Sequence, residues 1–215
     1  MIRYRFLSVI LGGLLGLLAA REAWAGAPTD QLKGAIDRVI KTLDDPDLKG
    51  SRKVEDRRAA VRKVANDIFD FTETAKRSLA RHWQARTDKE REEFIVLFGD
   101  LLERSYISKI ELYGGEKIQY VGELMDSDVA TVRTKLVTKQ GTEVPVDYRL
   151  LKRGDRWFVY DFSVEGVSLI NNYRTQFNKI IQTSSYAELV KKMKTKQEEF
   201  LANEQVQGKN TPPKR

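Results

Sequence analysis

The chain has 215 residues, no cysteine, one histidine and a formal charge of +7. The missing cysteines exclude disulfides, Cys-held zinc, iron–sulfur clusters, thiol nucleophiles and lipidation of a mature N-terminal Cys. One histidine makes a His-ligated zinc site a poor reading.

The N-terminus has the pattern of a secretory leader. Arg3 and Arg5 form a basic start, and Phe6 to Ala20 is an unbroken run of fifteen apolar or small residues. Ala23-Trp24-Ala25 then supplies an A-x-A cleavage signal. A membrane span needs about twenty apolar residues, and Arg21-Glu22 closes this run early. Cleavage after Ala25 predicts a periplasmic, exported protein of 190 residues, enough for one domain with a real core. Arg3, Arg5 and Arg21 against Glu22 give the leader +2, which leaves the mature chain +5. Such a charge suits anionic lipid surfaces or acidic proteins, and export argues against nucleic acid. Without disulfides, the core alone must hold the fold.

Leu32, Ile36, Val39, Ile40 and Leu43 recur at helical spacing until Asp44-Asp45-Pro46 stops them. After a polar stretch, Val61, Val64, Ala65, Ile68, Phe71, Ala75 and Leu79 read as one helix ending at His82-Trp83. Thr87, with Glu90 three residues on, opens the next helix as a capping box. Its stripe is Phe94, Leu97, Phe98, Leu101 and Leu102, ending near Tyr106 and Ile107, and Gly114-Gly115 then breaks the chain. The period then changes from 3.6 to 2. Ile118, Tyr120 and Leu124 begin the alternation, which continues through Ala130 to Leu136 and, past the Gln140-Gly141 turn, Val144 to Leu150. Arg153-Gly154-Asp155 leads into Trp157–Phe162. Strict alternation there places Trp157 and Val159 on one side, and Phe158, Tyr160 and Phe162 on the other. The turn Glu165-Gly166 joins this strand to a helix over Val167–Gln182, and another follows over Tyr186–Leu201. The expectation is an α+β fold: a four-stranded antiparallel sheet packed with helices from both ends of the chain. Residues 26–202 form the domain, and 203–215 read as a disordered basic tail.

Catalytic groups are scarce. His82 beside Trp83 reads as a structural residue at a helix end. Ser168 sits in Glu-Gly-Val-Ser-Leu rather than Gly-x-Ser-x-Gly, and capping the following helix is its simpler role. Asp161 and Glu165 could be an acid/base pair, but ordering the strand–helix junction is the plainer reading. No Gly-rich Lys-Ser/Thr nucleotide loop occurs. The chain therefore reads as a non-enzyme without cofactor or metal.

Trp83, Glu93-Phe94, Phe98, Leu101-Leu102 and Tyr106 are followed by Trp157, Tyr160-Asp161, Glu165-Gly166-Val167-Ser168-Leu169, Tyr173-Arg174 and Phe177. In this order they resemble the periplasmic phospholipid carriers of the Mla type, also known as toluene-tolerance auxiliary proteins. The resemblance covers most of residues 30–200, and its C-terminal block is the specific part. His82 before Trp83 departs from the pattern, and the Lys-rich tail has no counterpart in it. The resemblance implies a monomer that holds acyl tails in an apolar cavity. It implies transfer between an outer-membrane lipoprotein complex and an inner-membrane ABC transporter with an MCE-domain subunit, maintaining outer-membrane lipid asymmetry. The lining candidates for that cavity are Ile68, Phe71, Phe98, Leu101, Tyr106, Val132, Leu136, Val146, Tyr148, Trp157, Val159, Val164, Val167, Ile170 and Tyr173. Arg174 is either a headgroup contact or, preferably, half of an ion pair. Three rivals stay open: a carrier of hopanoid or other terpenoid lipid, a ligand-free adaptor with a dense core, and a hydrolase built on Ser168.

Overall fold

The computed structural model describes residues 27–48 and 53–209, with backbone alone at 108 and 203–209. The leader and residues 210–215 lie outside the described residues.

Helix α1 (Ala27–Asp44) carries Pro28 in its first turn, where a missing N–H costs nothing, and stops two residues before Pro46. It buries Leu32 and Ala35 and crosses the sheet. Near its start, the Thr29 amide donates to Glu123 at 3.0 Å and the Gln31 side-chain oxygen accepts from the Trp157 amide at 2.8 Å.

The apolar pattern from Val61 to Leu79 is not one helix. It divides into α2 (Val54–Ile68) and α3 (Phe71–Leu79). Between them, Phe69 forms a parallel bridge with Val159, and the Asp70 amide donates to the Val159 carbonyl at 2.8 Å. Asp70 then caps α3, its carboxylate accepting from the Glu73 amide at 2.8 Å. Backbone pairing to a strand far along the chain interrupts the helix, and the cap restarts it.

Helix α4 (Asp88–Ile110) begins with the expected capping box: Thr87 accepts from the Glu90 amide, and Glu90 accepts from the Thr87 amide. Its C-terminal half lies beside α2. Arg57 and Arg58 reach Glu111 at 3.2 and 3.1 Å, and Arg62 pairs with Glu103.

The strands are β1 (Lys117–Asp126), β2 (Val129–Val137), β3 (Glu143–Arg153), β4 (Arg156–Val164) and β5 (Val167–Ser168). They pair antiparallel in chain order. The sheet has five strands rather than four. Glu165 and Gly166 both take positive φ, 51° and 80°, so the chain reverses in two residues and Val167-Ser168 pair back on β4. Val167 is thus a strand residue, and α5 (Leu169–Thr183) starts behind Ser168 as N-cap. Helix α6 (Tyr186–Lys209) continues beyond Leu201, through the first part of the segment read as tail.

A bulge alters the faces of β4. Val159 lies opposite Leu150, Asp161 opposite Arg149 and Phe162 opposite Tyr148, which leaves Tyr160 without a partner. The extra residue reverses the alternation beyond it. Phe162 therefore shares a face with Trp157 and Val159, contrary to the strict-alternation reading.

Two apolar clusters result. One joins α1 and α2 to the sheet through Leu32, Ala35, Ile68, Ala130, Val132, Leu150, Trp157 and Val159. The other gathers α3, α4, α5 and α6 around Phe94, Phe98, Leu169, Ile170, Phe177 and Leu189, with Tyr160 reaching in from the bulge. The other sheet face is mixed: Thr131, Arg133, Lys135 and Arg149 are polar, while Val129, Leu151 and Phe158 form an apolar row and Leu151 packs against the helical cluster.

Candidate functional site

Register across β1 to β4 defines the apolar sheet face row by row. Met125, Ala130, Leu150 and Val159 form one row, and Val132, Tyr148 and Phe162 the next, with Glu123, which accepts from the Thr29 amide, at its β1 edge. Tyr120, Thr134, Val146 and Val164 follow, then Ile118, Leu136 and Val144. Burial of the apolar side chains on β2 to β4 falls along that sequence, while Thr134 in the third row stays 2% exposed. Ala130, Val132, Leu150 and Val159 are sealed beneath α1 and α2. Tyr148, Phe162, Tyr120, Val146, Ile118, Leu136 and Val144 are half-buried, and Val164 is 39% exposed. The face thus runs from a dry end under the helices to an open end toward the β2–β3 hairpin.

Aromatic rings border the open part. Tyr106 from α4 meets Phe162 edge-on at 5.3 Å, and Phe162 lies 6.4 Å from Tyr148. Although the Tyr148 ring keeps some surface, burial pushes its hydroxyl up to about 12. Burial also raises Tyr120, Tyr106 and Tyr173. Neutral phenols and aliphatic side chains make up most of this surface, and its half-buried carboxylate, Glu123, is engaged by Thr29 at the β1 edge.

Of the fifteen lining candidates, Ile68, Val132, Leu136, Val146, Tyr148, Trp157, Val159 and Val164 come together on this side of the sheet. Phe71, Phe98, Leu101, Ile170 and Tyr173 belong to the helical cluster, with Tyr106 at the seam between the two. Val167, in β5 just after the turn, is 67% exposed. The face also contains Ile118, Tyr120, Val144 and Phe162. Period-2 alternation marks the first three, while the bulge hides Phe162.

The residues considered for chemistry make bonds that hold the fold. Buried Asp161 accepts from Ser168 Oγ at 2.7 Å and from the Ile170 amide at 3.0 Å, and Arg149 approaches at 3.3 Å. Ser168 Oγ in turn accepts from the Asn171 amide at 3.1 Å. The pair fastens the start of α5 to β4, and Glu165 occupies the turn. His82 bonds Asn178 at 2.9 Å through Nε2. Arg174 makes a backbone bond rather than the expected ion pair: its Nε donates to the Arg77 carbonyl at 3.1 Å, near the end of α3. Among the described residues, no group of three His, Asp or Glu is placed to hold a metal.

Two open surface clefts lie away from the apolar sheet face. One, about 500 Å³, runs between α4 and α6 past Glu93, Val96 and Lys194. The other, about 440 Å³, lies by Lys76, Arg77, Trp83 and Arg174. Both are ringed by more charged side chains than the half-buried sheet face, which makes them a worse match to acyl chains.

Comparison with known proteins decides the lineage. The model of the family "MlaC protein" matches residues 33–195. The chain belongs to the MlaC family. It is 23% identical over 198 residues to the intermembrane phospholipid transport system binding protein MlaC of Haemophilus influenzae, covering 88% of this chain and 91% of that protein. A solved structure, the phospholipid-binding protein from Ralstonia solanacearum in complex with a phospholipid, superposes with a TM-score of 0.71 at 26% identity. That match covers 81% of this chain and 98% of the Ralstonia chain. That superposition bears out the expected α+β fold.

Proposed function

We propose that this chain is a periplasmic phospholipid carrier whose acyl-tail site is the apolar sheet face facing α1, α2 and the end of α4. The observation that carries the reading is the row of half-buried apolar side chains from Ile118 to Phe162, continuous with a dry core. MlaC membership and the phospholipid-bound Ralstonia relative support it. Leu136, Val146, Tyr148 and Val164 contact the tails in this reading, Val132, Trp157 and Val159 floor the site, and Tyr106 and Phe162 form its aromatic side.

Energetics constrain how such a carrier works. Two tails of about sixteen carbons, at about 0.8 kcal/mol per buried CH₂, gain on the order of 25 kcal/mol over water. Net binding saturates at about 18–21 kcal/mol, so opening the site and losing tail freedom offset part of the gain. Release into water is negligible, whereas a bilayer or a partner's apolar tunnel offers the tails an equivalent environment. Transfer is therefore collisional. The donor and acceptor in this reading are an outer-membrane lipoprotein complex and the MCE subunit of an inner-membrane ABC transporter, which places the chain in maintenance of outer-membrane asymmetry.

Native mass spectrometry of the mature protein, with organic extraction, tests the reading. The expected result is a stoichiometric ligand that fragments as a two-tailed phospholipid. A polycyclic mass would replace the cargo with a hopanoid-type lipid. Protein that stays empty after incubation with phospholipid vesicles would overturn the carrier reading.

A further inference from the structure

On the apolar face of the sheet, one polar atom has nothing to bond. Tyr120 stands opposite Thr134 and packs against the cluster beneath α1 and α2. Its Oη is buried without a hydrogen-bond partner. The neighbouring hydroxyl, Thr134 Oγ1, is satisfied by donating to the Val146 carbonyl at 2.7 Å. Among the described residues, the other buried side-chain atoms left unpaired are Ser78 Oγ and Arg86 Nε, and neither is on the sheet. An unmet buried donor costs stability, and a ligand that settles on this face can supply the missing acceptor.

The surroundings select the partner's chemistry. Burial, then Asp37 on α1 and then Tyr148 all hold the Tyr120 phenol in its neutral, donating form. A phosphate would meet the Asp37 charge with no cation among the half-buried side chains of the face to compensate it. A neutral carbonyl fits instead. In a phospholipid, the ester carbonyls are the neutral acceptors that adjoin the tails.

We propose that Tyr120 donates a hydrogen bond from Oη to an acyl-ester carbonyl of the bound lipid, making the site selective for ester-linked over ether-linked tails. The assignment rests on the carrier reading and adds to it the one polar contact that fixes how deep the lipid sits. An ether-linked lipid has no carbonyl to offer and leaves the phenol unpaired.

The test is competitive loading of lipid-free protein from vesicles holding equal amounts of diester and diether phosphatidylglycerol with identical tails. Native mass spectrometry reads the ratio bound. Wild type favours the diester about 2- to 12-fold, the factor set by one neutral hydrogen bond. In Tyr120→Phe the ratio falls to about one, while the lipid-free variant melts at or above the wild-type temperature. An unselective wild type, or a Tyr120→Phe variant that keeps the preference, overturns the assignment but leaves the carrier reading standing. Loss of the preference in Tyr148→Phe but not in Tyr120→Phe overturns it too. Failure of either lipid to load overturns the carrier reading itself.

Discussion

The helical cluster and the sheet face are both apolar, yet they are filled differently. In the cluster, Phe98 meets Tyr173 at 5.0 Å and Phe177 at 5.2 Å, both edge-on, and Phe94 meets Phe177 at 5.6 Å. Phe94, Phe98 and Leu189 retain at most 1% of their surface. Rings locked edge to face leave no room for another chain. On the sheet face, only the end beneath α1 and α2 is sealed, and the rows beyond it keep accessible surface. Sequence hydrophobicity does not separate these regions, because a dense core and a lipid surface use the same residue types. The distribution of burial does. One region holds the fold, and the other is where cargo can enter.

Substitutions should therefore have opposite signatures in the two regions. Phe98→Ala in the cluster is expected to destabilise by about 3–5 kcal/mol, measured by denaturant unfolding, and to lose lipid only as it loses structure. Asp161→Ala removes the acceptor of two buried hydrogen bonds at the start of α5. It should cost about 3 kcal/mol, and Asp161→Asn should cost less because one carboxamide oxygen remains to accept. At the sealed end of the sheet, Val132→Trp should overpack beneath α1 and cost about 1–3 kcal/mol together with lipid. Val146→Trp, on the half-buried part, should stay folded with a loss of less than about 1 kcal/mol and still lower lipid occupancy sharply. Unchanged lipid content in folded Val146→Trp would remove Val146 from the site.

A smaller effect is expected with pH. Burial raises Tyr148 and Tyr186 to about 12, above their ordinary value of 10.0. The folded state thus holds those protons more tightly than the unfolded chain does. Their contribution is complete below pH 10 and is lost as the pH rises from 10 through 12. Chemical denaturation across that interval should show falling stability, with the fall reduced in Tyr148→Phe.

Local signals were legible in the chain; long-range ones were not. Thr87 with Glu90, the Gln140-Gly141 turn and the positive-φ pair Glu165-Gly166 are each encoded within a few residues. The helix break at Phe69-Asp70 depends on the backbone of Val159, so apolar periodicity ran straight through it. Asp70 with Glu73 three residues later has the spacing of an N-cap and could have marked the restart. The bulge at Tyr160 is a property of pairing with β3, and it moved Phe162 to the other face. The same limit split the lining candidates. Helical spacing identifies Phe98 and Ile170 as buried, but only tertiary structure shows that they belong to the helical cluster rather than to the one beneath α1 and α2.

The most direct test of the two-region account is photolabelling with a phospholipid carrying a diazirine in its acyl chain. The protein is loaded, irradiated, digested and mapped by mass spectrometry. The account predicts label on peptides containing Ile118, Leu136, Val144, Val146 and Tyr148, with Phe94, Phe98 and Phe177 unlabelled. Label concentrated on those three phenylalanines would contradict it, placing the tails within the helical cluster.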